Sequence, residues 1–582
     1  MRVLIFHGYL LRGTGSNVYN AELAQALKRA GHDVHLLCQD RRAGELPWVD
    51  AVGEWPAGSL EVTPAAAPTG TAAPAPPAGA APAPPPGAGS ITAYVPDIGG
   101  LLPVFVYDHY EGFAVKTFPD LSEAELERYL AANVAAVTDV VAAAGAPEAA
   151  LANHLVMGPV ILARAGLRFA AKIHGSDLSY AVRPHPGRFV PYAQEGMRAA
   201  SAALVGSSYT AIDLWDTVGL PDLEEKTRLG PPGLDPVAFD IDRREGAAER
   251  LHALAGRLAT TPPEAPAPAQ PPPPGTPPPG TPPPGTPAPS TPRAASSAPA
   301  APVLPPRDAP PPADAAFGRD LPAAAAALDW YAQAPADRVL YVGKLLPNKG
   351  VDLLLAAWPL IHAARPGARL LLAGFGSFRL TLERLWQSLE AGDLKQAAAI
   401  AAAGAPVDAA PTARSLSILA AFLADPPAGY ADHCRQAAGS LRISGRLEHP
   451  EVAAAILTAD TLVMPSTFPE AFGMVAAEAA AAGALPISAN HSGMAEVAHR
   501  LGEAVAPEQA GLLSFELTDY PIHTIAANAI AWLQTDPRRR AATAARISDR
   551  AIELWSWAGL ARTIIAASSG DLTRLDRPRY IV

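Results

Sequence analysis

Apolar positions along the chain fall into short unbroken runs separated by stretches of helical spacing. The first run, Met1–Phe6, ends in a Gly-containing segment from His7 to Gly15. A helical pattern follows from about Asn17 to Ala30 and closes at Gly31, and a second apolar run spans Asp33–Cys38. This order predicts a βαβ start. Further strands are predicted at Val104–Tyr107, Leu155–Val156, Phe169–Ile173 and Ala203–Val205, with helical patterns between them. Such alternation implies a mostly parallel sheet covered on both faces. The pattern then restarts: strand Arg338–Val342, helix Val351–Ile361, strand Ala368–Ala373, a mostly helical region 377–440, and strands Ser440–Ser444, Thr461–Pro465 and Ala484–Ser488. Residues 538–569 read as one helical segment containing Trp555 and Trp557.

Composition changes this picture in two places. Residues 63–88 are Pro/Ala/Gly-rich, and residues 262–312 are richer still, with a repeated Gly-Thr-Pro-Pro-Pro unit at 275–284. Neither block offers enough apolar surface to fold, and both are expected to be disordered spacers, with a ligand for a proline-recognition domain as the alternative. The expected organisation is an N-terminal domain over 1–235 with 63–88 as an insertion, a linker over 236–335, a C-terminal domain over 336–537, and a helical segment over 538–582 that crosses back to the N-terminal domain. The net charge of −11 gives no whole-chain attraction for nucleic acid. Cys38 and Cys434 are far apart and suggest no disulfide framework. No apolar run has the length of a signal-peptide core or a membrane span, so the expected location is the cytoplasm, with peripheral membrane contact left open.

The segment richest in chemistry is Pro465-Ser466-Thr467-Phe468-Pro469-Glu470-Ala471-Phe472-Gly473-Met474-Val475, leading to Glu478. A strand ends at Pro465, a Pro-containing turn places Glu470, and a helix is predicted to start near Phe472. Free N–H groups and the helix dipole at that start suit a diphosphate, and Gly473 permits close approach of backbone. Glu470 and Glu478, two helical turns apart, can reach different hydroxyls of one extended ligand. The pair alone would read as two surface glutamates; the flanking strand, Pro and Ala-rich helix favour a site. A second segment, Gly343-Lys344-Leu345-Leu346-Pro347-Asn348-Lys349-Gly350, also joins a strand to a helix. Its two lysines can neutralise a diphosphate. A third, His174-Gly175-Ser176-Asp177, follows the strand at 169–173, where open parallel sheets bind ligands. A fourth is the first βα loop, Arg12-Gly13-Thr14-Gly15-Ser16-Asn17, which lacks the third glycine of a dinucleotide fingerprint because Val18 stands there.

Together these segments resemble the retaining glycosyltransferases of family 4. Glu470 through Glu478 resembles the family's E-x7-E motif, and Gly343–Gly350 its G-[RK]-x4-KG motif, with Lys344 where Arg is common. The resemblance implies a GT-B fold of class α/β: two Rossmann-like domains with parallel sheets facing a central cleft, here with Pro-rich disordered insertions. It implies a hexosyltransferase that moves a sugar from a nucleoside-diphosphate sugar to an acceptor with retention of configuration. UDP-sugar is the expected donor, with GDP- or ADP-sugar as alternatives, and the acceptor is a small molecule, a glycan or a lipid. By the same resemblance His174, Glu470, Lys344 and Lys349 would be catalytic. Gly15, Gly343, Lys344, Lys349, Arg446, Leu447, Glu470, Phe472, Gly473, Met474, Val475 and Glu478 would bind the donor. Asn17, Asp177 and Lys116 are the acceptor-side candidates. No cofactor or metal is expected, as no Asp-x-Asp of the metal-binding kind stands out. Domain closure over the donor is expected, hinged at the linker and the C-terminal crossing. The alternatives are a phosphorylase or sugar-nucleotide epimerase on the same fold, an NAD-dependent oxidoreductase, and a non-catalytic interaction protein built around the Pro-rich block.

Overall fold

In the computed structural model of the 582-residue chain, residues 1–579 are described apart from 14, 66–88, 106–109, 111, 262–318, 336, 408–409, 415 and 519, and, within 405–415, without side chains. The Pro-rich blocks expected at 63–88 and 262–312 thus lie almost wholly outside the described residues.

The N-terminal half holds strands β1 (Arg2–Phe6), β2 (Asp33–Leu37), β3 (Ala51–Glu54), β4 (Glu61–Pro64), β5 (Ile91–Tyr94), β6 (Leu101–Val104), β7 (Ala114–Thr117), β8 (Ala149–Asn153), β9 (Ala170–Lys172), β10 (Ala202–Val205) and β11 (Thr227–Leu229). Nine of these form one sheet in the order β11-β10-β9-β8-β1-β2-β5-β3-β4, while β6 and β7 pair separately. All pairs in the large sheet are parallel except β3 with β4. The second half holds β12 (Arg338–Val342), β13 (Arg369–Ala373), β14 (Ala405–Val407), β15 (Ala410–Arg414), β16 (Leu441–Gly445), β17 (Thr461–Met464), β18 (Leu485–Ala489) and β19 (Ser514–Phe515). Six of them make a parallel sheet, β16-β13-β12-β17-β18-β19. The central strands are buried along nearly their whole length, as expected when helices cover both faces.

Both sheets place their site in the same way. In the first, β1 lies between β2 and β8; in the second, β12 lies between β13 and β17. The chain therefore leaves β1 and β12 at points where strand order reverses, and ligands of open α/β sheets bind beyond the carboxyl ends of such strands. The loops after β1 and β12 are the first βα loop and the Gly343–Gly350 segment.

Several expectations need correction. Leu155–Val156 is a turn, and the strand beside β1 is Ala149–Asn153. Alanine is a weak strand former, so the sequence Ala-Ala-Leu-Ala-Asn concealed a fully buried central strand. The strand placed at Val104–Tyr107 is instead β6, ending at Val104; residues 106–107 lie outside the described set. The stretch read as a linker contains helices Ala247–Thr260 and Leu321–Ala332, whose Leu251, Leu258, Leu328 and Tyr331 join the C-terminal core. The region 377–440 is helical but includes the β14–β15 hairpin. The single helix expected over 538–569 is two, Pro537–Leu554 and Trp557–Ser569.

That break is where the chain changes lobe. Helix Pro537–Leu554 packs on the C-terminal half, with Ser548 Oγ donating to the Ala481 carbonyl at 2.6 Å. After Trp555 the side chain of Ser556 caps a new helix by accepting from the N–H of Gly559. Trp557, Leu560, Ala561 and Ile564 of that helix are buried in the N-terminal core. Beside this crossing runs the outward one, where the N–H of Leu234 donates to the Trp555 carbonyl at 3.0 Å. The two crossings therefore lie in contact.

Candidate functional site

A cleft enclosing about 520 Å³ lies between the lobes. Of the expected donor-side residues it is lined by Gly15, Gly343, Lys344, Lys349, Arg446, Leu447, Glu470, Phe472, Met474, Val475 and Glu478, and on the opposite wall by His174 and Asn17. Gly473 stands one step back as the N-cap of helix Met474–Ala481, which starts two residues later than expected. Two candidates lie elsewhere. Lys116 sits on β7, away from the cleft, with Nζ 2.7 Å from Glu125 Oε1. Asp177 is fully buried; its carboxylate accepts from the N–H groups of Leu155 and Leu178, so it fastens the loop after β9 instead of facing a ligand.

The C-terminal wall is built on two strand ends. Beyond β12, Pro347–Lys349 forms a tight turn that ends at Gly350, whose φ is +65°. That turn brings Lys349 Nζ onto Glu470 Oε1, and Ser466 Oγ donates to the same carboxylate oxygen at 2.9 Å. The main-chain N–H of Glu470 donates to Ser492 Oγ at 2.9 Å, and its carbonyl accepts from the N–H of Gly493 at 2.9 Å. Glu470 is therefore held at both backbone and side chain. Lys344 and Arg446 both approach the ring of Phe375, at 5.8 and 5.9 Å from its centroid. Phe375 is the apolar seat for two cations. The unpaired N–H groups at the start of helix Met474–Ala481 complete an electropositive surface.

Gly350 is required by this geometry. A Cβ there would lie 1.9 Å from the Pro465 carbonyl oxygen, besides adopting a φ that L-residues avoid. Gly350→Val is expected to destabilise the fold by roughly 2 kcal/mol or more. A thermal midpoint equal to that of the unsubstituted protein would show that the turn relaxes freely.

Glu478 lies just over one turn into the helix Met474–Ala481, almost fully buried, and faces His449 at 3.2 Å. Burial works against protonation of His449, but Glu478, and then Glu22 and Asp235, outweigh it and raise its pKa to about 9. His449 is the first residue of the helix His449–Thr458, a position that carries no motif signal in the sequence.

The N-terminal wall contains a buried polar chain that was also missed. His7 Nε2 lies 3.0 Å from the Leu10 carbonyl, and His7 Nδ1 lies 3.0 Å from the Asn20 amide nitrogen. Asn20 and Asn153 exchange a 2.8 Å bond, and Asn153 Oδ1 accepts from His174 Nε2 at 2.8 Å. An amide oxygen cannot donate, so His174 carries its proton on Nε2 and leaves Nδ1 as an acceptor. Burial, followed by the neighbouring His154, Lys172 and His7, holds the pKa of His174 well below its ordinary value. Asn17 is committed to the loop: its Nδ2 donates to the Arg12 carbonyl at 2.9 Å, and its Oδ1 faces His7.

Contacts across the cleft mark a closed arrangement. Asn348 Nδ2 donates to Tyr180 Oη at 3.0 Å, and Tyr180 stacks on Phe468. Glu496 accepts from the N–H groups of Ser208 and Tyr209 at 2.9 and 2.8 Å, joining a C-terminal carboxylate to the start of an N-terminal helix. Among the described residues no group of three or more His, Cys, Asp or Glu is placed to hold a metal. The chain does carry one Asp-x-Asp triplet that the sequence analysis passed over, Asp240-Ile241-Asp242. It lies off the cleft in a single 3-10 turn, where Asp240 accepts from the N–H of Asp242. Cys38 and Cys434 are both buried and unbonded to one another. Among the described residues no helix is long and apolar enough to cross a membrane.

Residues 434–517 match the family model of the glycosyl transferases group 1. This stretch contains Arg446, Leu447 and the whole Glu470–Glu478 segment, and it stops short of the Gly343–Gly350 loop and His174. A glycogen synthase of Mycobacterium tuberculosis (strain CDC 1551 / Oshkosh) is 30% identical over 174 residues, which is 30% of this chain and 29% of that protein. The chain thus spans less than a third of the length of the curated relatives it matches. Among solved structures, the catalytic domain of starch synthase IV from Arabidopsis thaliana, bound to ADP and acarbose, has a TM-score of 0.51 at 12% identity, over 98% of this chain and 99% of that one. The N-terminal domain of Candida albicans trehalose-6-phosphate phosphatase has a TM-score of 0.50 at 10% identity, over 98% and 97%. The similarity to the glycosyl transferases group 1 model is thus confined to residues 434–517, and the fold of the chain is GT-B, as the sequence resemblance implied.

Proposed function

We propose that this chain is a retaining glycosyltransferase that takes a sugar from a nucleoside-diphosphate sugar without a metal ion. The observation that carries the proposal is the convergence, at the reversal points of two parallel sheets, of one diphosphate surface and one sugar-facing wall. Lys344, Lys349 and the start of helix Met474–Ala481 form the first; Glu470 and His174 bound the second.

In this reading the ribose hydroxyls meet Glu478, and the diphosphate lies between Lys344 and Lys349. Glu470 accepts from hydroxyls of the donor sugar, and the free Nδ1 of neutral His174 accepts from another. As the glycosidic bond to the diphosphate breaks, negative charge grows on the departing oxygen. The lysines and the helix dipole already point there, so little reorganisation accompanies the step. Retention follows if the acceptor hydroxyl attacks from the face the diphosphate leaves and passes its proton to that phosphate. UDP is the nucleotide we expect, with ADP and GDP as the other candidates, and the Arg446–Leu447 segment is the part of the wall expected to meet the base.

Thermal shift with UDP, ADP, GDP and their sugar conjugates tests the donor assignment. A ligand at 100 times its Kd that binds only the folded state adds about 2.7 kcal/mol of stability. One nucleotide family should raise the midpoint, and Lys349→Ala and Glu478→Ala should each abolish most of the rise. No shift with any nucleotide would overturn the transferase reading.

A further inference from the structure

His154 lines the cleft beside His174, yet its imidazole is 3% exposed and neither ring nitrogen has a hydrogen-bond partner. Buried polar groups are almost always paired, so two orphaned nitrogens on one ring at a cleft wall require an explanation. The backbone adds a second observation. His154 has φ +66°, uncommon for a residue with a side chain, and its N–H is fixed to the Lys172 carbonyl at 2.8 Å. The fold holds this residue in a strained conformation that keeps its ring at the cleft.

The surroundings define what the ring can bind. Its centroid lies 4.7 Å from that of His174, 4.8 Å from Phe105 and 5.4 Å from Tyr9. Burial, with His7 adding to it, keeps the imidazole neutral by lowering its pKa well below the ordinary value. Nδ1 faces Asp177 Oδ2 at 4.0 Å, which favours the proton on Nδ1 and leaves Nε2 as an acceptor. Among the described residues lining the N-terminal wall, Arg12 is the one Lys or Arg, and Asp40 at 3.5 Å and Glu45 at 3.7 Å already neutralise it. A wall of aromatic rings around a neutral hydrogen-bonding group suits an uncharged polyhydroxylated ring and offers no counter-charge to a phosphate.

We propose that the acceptor is a neutral sugar or polyol, one hydroxyl of which donates to His154 Nε2 while its C–H face rests on Tyr9 and Phe105. The proposal rests on the glycosyltransferase reading above, and its failure is distinguishable from the failure of that reading.

The test uses the full chain saturated with the nucleoside diphosphate that stabilises it, and reads binding of acceptor probes by saturation-transfer NMR and calorimetry. The neutral probes are glucose, maltose and myo-inositol; the anionic probes are glucose 6-phosphate and inositol 1-phosphate. At least one neutral probe should bind, and the phosphorylated probes should bind more weakly. His154→Phe keeps an aromatic ring in the same cage and removes both nitrogens, and His154→Ala removes the ring. Each should weaken the neutral probe on the order of tenfold, while the nucleotide-induced thermal shift stays unchanged. Tighter binding of a phosphorylated probe, no binding of any neutral probe, or undiminished neutral binding by His154→Phe would each overturn the proposal. Loss of the nucleotide shift in the unsubstituted protein would sink the transferase reading itself.

Discussion

Lys349→Ala should lower kcat for sugar transfer by roughly 10²- to 10³-fold, equivalent to about 3–4 kcal/mol of lost transition-state stabilisation. Three features make this the most damaging single change on the donor wall. Lys349 sits at the reversal point of the C-terminal sheet, where the departing diphosphate must lie. Its ammonium pairs directly with Glu470, so its removal also leaves that carboxylate without its cation beside an incoming dianion. And its backbone is fixed: the N–H of Lys349 donates to the Leu346 carbonyl, and Thr467 N–H reaches back to Asn348. Lys349→Arg keeps the charge and should lose much less, although its fork fits a site built for a point charge poorly. Lys344→Ala should fall between them, since Lys344 lies over Phe375 while Lys349 is the cation paired with Glu470. Steady-state transfer or donor-hydrolysis rates, with thermal midpoints as a folding control, measure the series. A loss under threefold in a folded Lys349→Ala protein would remove Lys349 from the chemistry.

How much of this was legible in the sequence differs between the two walls. On the C-terminal side nearly everything was readable, because the chemistry lies on short contiguous segments. Glu470, Phe472 and Glu478 follow one strand, and Lys344 and Lys349 another, so local order already brought them together. On the N-terminal side the pieces come from four separate stretches. His7, Asn20, Asn153 and His174 form one chain of hydrogen bonds only because β1, β8 and β9 are adjacent in the sheet. The weak strand signal of Ala149–Asn153 hid the element that carries Asn153 and leads to His154. Lys116 was misplaced for the opposite reason: a free-standing lysine has no pattern to show which face of its strand meets Glu125. Asp177 was read as a ligand because it follows His174 closely, yet its buried carboxylate is satisfied by the main chain. Trp555 and Trp557 looked like neighbours in one helix; the Ser556 cap between them assigns each to a different lobe.

The pair His449–Glu478 should give the protein a pH-dependent stability that His449→Gln removes. The folded-state pKa of His449 is raised to about 9 from an ordinary 6.5. Below pH 6.5 the histidine is protonated in folded and unfolded chains alike, and the stabilisation from its partners is fully present. As pH rises through 6.5 the unfolded chain loses the proton while the folded one keeps it, and the contribution declines; it is gone once pH has passed the folded value near 9. The full effect is on the order of 2–3 kcal/mol. The comparison of interest is the difference in thermal midpoint between the unsubstituted protein and His449→Gln, measured from pH 6 to pH 9.5. That difference should be largest at the acidic end and shrink steadily toward the alkaline end. A difference that stays constant with pH would mean that His449 is held as a neutral ring. The same pair bears on the donor, because a carboxylate already committed to an imidazolium is fixed in the orientation in which ribose hydroxyls can reach its second oxygen. Nucleotide affinity should therefore weaken over the pH range in which the midpoint difference disappears, and Glu478→Gln should bind nucleotide more weakly with that pH dependence gone.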